Sequence, residues 1–159
     1  MSTSPEPEGS SRHILPGARR RARERALELL YEAETKDLSP TQLLAELPVA
    51  PEEYALQLVL GVERRAEEVN RLLGRHATGW TVERMPVVDR CVLRMAAYEL
   101  LDELEVPVAV VLDEAVELAK TYSTEDSGRY VNGVLSAVAT EVRPKEQESA
   151  DASFRGSLE

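Results

Sequence analysis

The segment 86–104, PVVDRCVLRMAAYELLDEL, constrains the fold more than any other stretch because it is apolar on two faces. Val88, Cys91, Val92 and Met95 fall on one face, and Leu93, Ala97, Leu100, Leu101 and Leu104 on another. A helix that is apolar nearly all round belongs in the middle of a bundle, since either face left in water would forfeit the burial that stabilises it. The rest of the chain must therefore supply covering helices.

The patterning supplies them. Ala22, Ala26, Leu29, Leu30 and Ala33 recur at helical spacing, and Tyr54, Leu58, Gly61, Val62, Arg65, Val69, Leu72 and Leu73 trace a second stripe with one snorkelling arginine. No alternation of period two competes, so the fold class is all-α. Ser39 before Pro40 reads as an N-cap followed by proline at the first helical position, and Pro51, Pro86 and Pro107 open further helices in the same way. Thr124, Glu125 and Asp126 offer a capping hydroxyl and first-turn carboxylates to the last helix. These signals predict helices near 18–35, 40–47, 52–74, 79–84, 86–104, 107–121 and 125–142. The 52–74, 107–121 and 125–142 helices should pack on 86–104 within one folded unit, 17–143. The flanks 1–16 and 144–159, rich in polar and small residues, read as disordered.

Asn132-Gly133 would ordinarily suggest a hairpin turn. Val131, Val134, Leu135 and Val138 hold helical spacing around it, so the helix reading prevails. Gly128, Asn132 and Gly133 inside a helix cost on the order of 2 kcal/mol relative to good helix formers, and close helix packing at Gly133 is the expected reason.

Charge is distributed unevenly. The whole chain carries −10, yet residues 11–25 carry +5, from Arg12, Arg19, Arg20, Arg21, Arg23 and Arg25 against Glu24. Cations at a helix N-terminus oppose the backbone dipole, and five arginines in two turns amount to about 1–3 kcal/mol of local disfavour. An external polyanion would turn that disfavour into binding, because guanidinium forks and free helix N–H groups both suit phosphate oxygens. A nucleic acid fits best; a membrane surface or an acidic protein shares the same chemistry. On a helical wheel Arg19 and Arg23 flank the apolar stripe on one side, Arg21 and Arg25 on the other, and Arg20 points outward. Arg90 and Arg94, four residues apart on the central helix, either form its exposed edge or extend the basic strip. Arg129 and Tyr130 sit one turn into the last helix, where they could contact phosphate and stack on a base.

Little points to catalysis. Cys91 is the one cysteine, on an apolar face, and reads as a small core residue. His13 and His76 are isolated, the latter in the Gly74–Gly79 loop, and the carboxylates are scattered over solvent faces. The sequence holds no nucleophile–base set, no phosphate-cradling glycine loop and no metal-ligand spacing, so neither an enzyme nor a cofactor is expected. The longest apolar run, Val106 to Leu112, contains Pro107 and falls far short of a bilayer span. The reading is a cytoplasmic protein.

The blocks ARRRARERALELLYEAE, PVVDRCVLRMAAYELL and VPVAVVLDEAVELAKTYSTEDSGRYVNGVL together resemble the NusB family of transcription antitermination factors across 17–143. The resemblance implies an all-helical fold of two small bundles. It also implies a role in which the chain pairs with the ribosomal protein NusE, binds boxA RNA, and helps assemble a complex on RNA polymerase that suppresses termination, notably in ribosomal RNA operons. By position, the family's RNA-binding arm falls on Arg19, Arg20, Arg21, Arg23 and Arg25, and the RNA face near the last helix on Tyr122, Asp126, Arg129 and Tyr130. The NusE-facing surface falls on Tyr31 and Asp89. Two departures stand out: Tyr130 replaces the family's usual Phe, and Asp89 is a short acidic side chain. A NusB-like module fused to a methyltransferase is disfavoured by the brief C-terminal tail. A protein-interaction module or homodimer that covers the arm without binding RNA remains the alternative.

Overall fold

The computed structural model describes residues 17–146. Both flanks predicted to be disordered therefore lie outside the described residues, except 144–146. Among the described residues seven α-helices and one 3₁₀ turn form the fold: α1 (Ala18–Thr35), α2 (Pro40–Glu46), α3 (Glu53–Arg64), α4 (Ala66–His76), the turn Val82–Arg84, α5 (Val87–Asp102), α6 (Val108–Tyr122) and α7 (Glu125–Val142). Helices α1, α2 and α3 pack as one small bundle and α4 to α7 as another; α5 belongs to both, touching α1, α3, α4, α6 and α7.

The central position of α5 follows from its two apolar faces. Leu93, Ala97 and Leu100 are fully enclosed, as are Cys91, Val92 and Met95 on the opposite side. Burial pushes the Cys91 thiol up to about 12, which makes it a core residue with no nucleophilic character near neutrality. Leu104 departs from the prediction: α5 ends at Asp102, and Leu104 lies beyond it, 68% exposed.

Local chemistry sets the boundaries. Ser39 and Gln42 form a reciprocal capping box, with the Ser39 hydroxyl accepting from the Gln42 N–H and the Gln42 amide accepting from the Ser39 N–H. Thr124 caps α7 by accepting from the Ser127 N–H at 3.0 Å. The predicted 52–74 helix is instead two helices that bend at Arg65 (φ −102°, ψ 18°), whose guanidinium reaches Asp102 on α5 at 3.1 Å. The apolar stripe continues in register across the bend, so periodicity alone could not reveal it. The predicted helix at 79–84 is reduced to a 3₁₀ turn after Gly79, which adopts a left-handed φ of 92°.

Two glycines and one arginine set the closest approaches. A Cβ on Gly61 would lie 2.2 to 2.6 Å from the ring of Tyr98, so α3 and α5 approach through that glycine. A Cβ on Gly128 would meet Lys120 Cγ at 2.8 Å, whereas one on Gly133 would meet nothing within 4 Å. Close packing in α7 thus occurs at Gly128 and not at Gly133, which faces solvent. Arg143, buried just past α7, donates to the carbonyls of Glu99, Leu100, Glu103 and Val106 at 2.6 to 3.0 Å. These carbonyls lie at the end of α5 and in the turn after it, where a cation is the favourable charge; those of Glu99 and Glu103 also accept backbone N–H bonds, from Glu103 and Val106. Glu146 then accepts from the Val108 N–H at 2.8 Å, at the start of α6.

The Gly61 approach has a direct test. Replacing Gly61 with Ala forces a methyl into the Tyr98 ring, and the overpacking should lower unfolding stability by about 1–3 kcal/mol, read as a shifted midpoint in urea denaturation. Gly133→Ala should not destabilise the protein.

Candidate nucleic-acid interface

Helix α1 begins after Gly17, whose left-handed φ of 87° suits glycine, and no side chain caps its first N–H groups. The five arginines that follow divide into distinct environments. Arg23 is buried, 3% exposed, and its guanidinium donates two parallel bonds to the equally buried Glu99 carboxylate of α5, at 2.8 and 2.9 Å. Burial opposes its charge, but the hydrogen bonds and charge of Glu99 outweigh it and hold the guanidinium pKa above its ordinary value. Arg23 is therefore a structural residue, and its placement among phosphate contacts is corrected. Arg19 is half-buried, stacked over the Tyr54 ring at 4.7 Å with Glu105 at 3.7 Å.

The other three stay at the surface. Arg20 makes a bidentate pair with Glu114 of α6 at 2.9 and 3.1 Å while its side chain remains 60% exposed. Arg25 donates to Glu28 at 3.2 Å, both side chains being about half in water. Arg21 is exposed and has no carboxylate partner among the described residues. The positive start of α1 is thus offset within the fold by carboxylates from α5 and α6, which is a structural return that the run of arginines alone does not disclose. Exposed ion pairs contribute little, so a phosphate can displace Glu28 at small cost; Glu114, bidentate on Arg20 and only 17% exposed, is held more firmly, and Glu99 is not displaced.

Arg90 is buried and spans four groups: its guanidinium donates to the carbonyls of Val82 at 3.1 Å, Glu83 at 3.4 Å and Met85 at 3.3 Å, and pairs with Glu34 of α1. Arg94 donates to Asn70 at 3.1 Å and also faces Glu34. These residues fasten the Val82–Arg84 turn and α4 to the first bundle; Arg90 is buried, so its expected place in a basic strip is corrected, while the Arg94 side chain stays 24% exposed. His76, expected in a loop, ends α4 and contacts Glu141 of α7 at 3.1 Å.

Tyr31 and Tyr122, expected on different surfaces, share one. With Leu27, Glu28 and Val88 they line a groove of about 340 Å³, each 44% exposed. Asp126 and Arg129 pair with each other in the first turn of α7, both largely in solvent. Asp89, expected at a protein interface, is 1% exposed; its Oδ2 accepts from the Ser127 hydroxyl at 2.9 Å and its Oδ1 has no hydrogen-bond partner. Tyr130 is half-buried against Trp80, with ring centroids 5.5 Å apart and planes inclined by 53°. Trp80, Glu99, Glu114 and Arg143 escaped the sequence reading. Trp80 is one tryptophan beside a glycine, and the other three gain meaning only from partners remote in the chain.

The NusB family model matches residues 20–140. The chain belongs to the NusB family. It is 49% identical over 125 residues to the transcription antitermination protein NusB of Acidothermus cellulolyticus, a match covering 76% of this chain and 86% of that protein. The NusB of Saccharopolyspora erythraea is 48% identical over 129 residues, covering 77% and 87%. Among solved structures the fold resembles T. maritima NusB, with a TM-score of 0.73 and 37% identity over 82% of this chain and 96% of that one. It also resembles a chain in a crystal structure of antitermination factors NusB and NusE in complex with dsRNA, with a TM-score of 0.65 and 30% identity over 77% and 96%. Among the described residues no helix is long and apolar enough to cross a membrane.

The two classes of arginine should separate on substitution. Arg23→Ala strands the Glu99 carboxylate in the core and should cost about 3–5 kcal/mol of unfolding free energy, while Arg21→Ala should stay within about 0.5 kcal/mol of the parent. Chemical denaturation followed by circular dichroism measures both.

Proposed function

We propose that this chain is an RNA-binding antitermination factor that, with NusE, holds boxA-type single-stranded RNA and helps assemble an antitermination complex on RNA polymerase, notably for ribosomal RNA operons. The observation that carries this reading is the exposed arginine edge of α1, Arg20, Arg21 and Arg25, on a fold that resembles the NusB of a NusB–NusE–dsRNA structure. The edge supplies phosphate affinity through guanidinium forks and the uncapped N–H groups of the first turn. Arg129 and the aromatic pair of Trp80 and Tyr130 lie on the α7 side and supply base contacts.

The Tyr31–Tyr122 groove favours a protein partner, because it is apolar and ringed by two tyrosines, the residue type enriched where interfaces concentrate their energy. NusE docks there in this reading, with Leu27 and Val88 as the floor.

Anisotropy titration of labelled boxA-like single-stranded RNA against a scrambled RNA, with and without NusE, tests the assignment. Each phosphate neutralised contributes roughly 0.7 to the slope of log affinity against log salt for a single strand. The double variant Arg21→Ala, Arg25→Ala should therefore flatten the slope by about 1.4; an unchanged slope would remove the α1 edge from the RNA site. Tyr31→Ala with Tyr122→Ala should weaken NusE binding about tenfold or more in calorimetry and leave the salt slope of RNA binding as it was.

A further inference from the structure

The buried Asp89 carboxylate, packed against α7, is a polar group that the fold does not use up. Its Oδ2 is held by Ser127, which is itself fixed by the Thr124 cap, so the carboxylate has one orientation. Its Oδ1 is left without a donor, and a lone acceptor on a charged group inside a protein is costly unless something arrives to meet it. Asp89 lines a cavity of about 540 Å³ whose other walls include Trp80, Tyr130, Gly79 and Thr124. The Tyr130 hydroxyl is likewise buried without a partner. Its pKa is raised, by burial and then by the charge of Asp89. The cavity thus offers flat aromatic surface, with one unmet carboxylate oxygen and one unmet hydroxyl buried in the residues of its wall.

We propose that this cavity holds a single nucleobase of the bound RNA, stacked against Trp80 and Tyr130 and selected for an exocyclic amino group that donates to Asp89 Oδ1. The inference rests on the RNA-binding reading above. Adenine, cytosine and guanine each carry an amino group next to a ring-nitrogen acceptor, so the amino group meets Asp89 while the ring nitrogen accepts from the Tyr130 hydroxyl. A lysine or arginine from a protein partner brings donors only and leaves the Tyr130 proton without an acceptor. A keto base such as uracil places a carbonyl oxygen against the carboxylate and is rejected. Asp89 is then a reader of RNA and not the protein-facing contact its position first suggested.

The test uses the full chain, NusE, and a set of boxA-like single-stranded RNAs in which each cytidine is changed singly to uridine and each adenosine or guanosine to inosine, removing the amino group. Wild-type protein should show one position at which the exchange weakens binding about tenfold. Asp89→Asn keeps the Ser127 bond and turns an amide N–H₂ into the cavity, so it should erase or reverse the preference at that position alone. Tyr130→Phe should reduce the preference, and Trp80→Ala, at an exposed residue, should weaken both members of the pair; these two carry the test should Asp89→Asn unfold, as judged by circular dichroism. A wild-type preference that persists unchanged in Asp89→Asn overturns the proposal. So does an Asp89→Asn variant that loses NusE affinity with its base preference intact, which would make the cavity a socket for a protein side chain. RNA binding with no amino preference anywhere defeats the base pocket alone, whereas no RNA binding at all defeats the parent reading with it.

Discussion

The Arg23–Glu99 pair is the constraint on which the rest of the architecture depends. Two charges that are both removed from water tolerate neither rotation nor separation, because each is the other's replacement for solvent. This fixes the rotation of α1 against α5. Once Arg23 points inward, helical geometry obliges Ala26 and Leu30 to follow it into the core and leaves Arg21 and Arg25 on the outer face. The pair thereby decides which arginines are available to a ligand.

A second consequence concerns electrostatics. The chain is acidic overall, yet its cationic face is not a bare patch, since Arg20 and Arg25 are masked by Glu114 and Glu28. An exposed pair of this kind is a reserved site: it limits promiscuous adhesion to polyanions while giving way to a ligand that brings several phosphates at once. Helix α6 thus sets, through Glu114, how freely Arg20 can turn to another anion.

Much of the fold was legible because its signals are local. The two-faced patterning of 86–104 required a central helix, and Ser39, Pro40 and Thr124 marked helix starts through bonds made within three residues. What escaped was whatever depends on remote partners. Arg65 lies on a continuous stripe, yet the chain bends there to meet Asp102. Gly133 looked like a packing contact, but the contact is at Gly128, because the side chain that decides it, Lys120, comes from α6. The arginine run is conspicuous in the sequence as a group, while its division into core, stacked and surface members depends on Glu99, Tyr54 and Glu114. Asp89 shows the same limit: nothing in its neighbourhood along the chain foretells burial beside Tyr130.

The Arg143 clasp ties folding to the order of synthesis. The carbonyls it satisfies lie 37 to 44 residues earlier in the chain. As the polypeptide emerges from the ribosome, the first bundle and most of α5 are available well before residue 143, but the end of α5 lacks the cation that completes it. Domains acquire structure from the N-terminus during translation, so here the central helix is sealed only after α6 and α7 have been made. A nascent chain stalled before residue 143 would leave the four carbonyls of Glu99, Leu100, Glu103 and Val106 without that guanidinium.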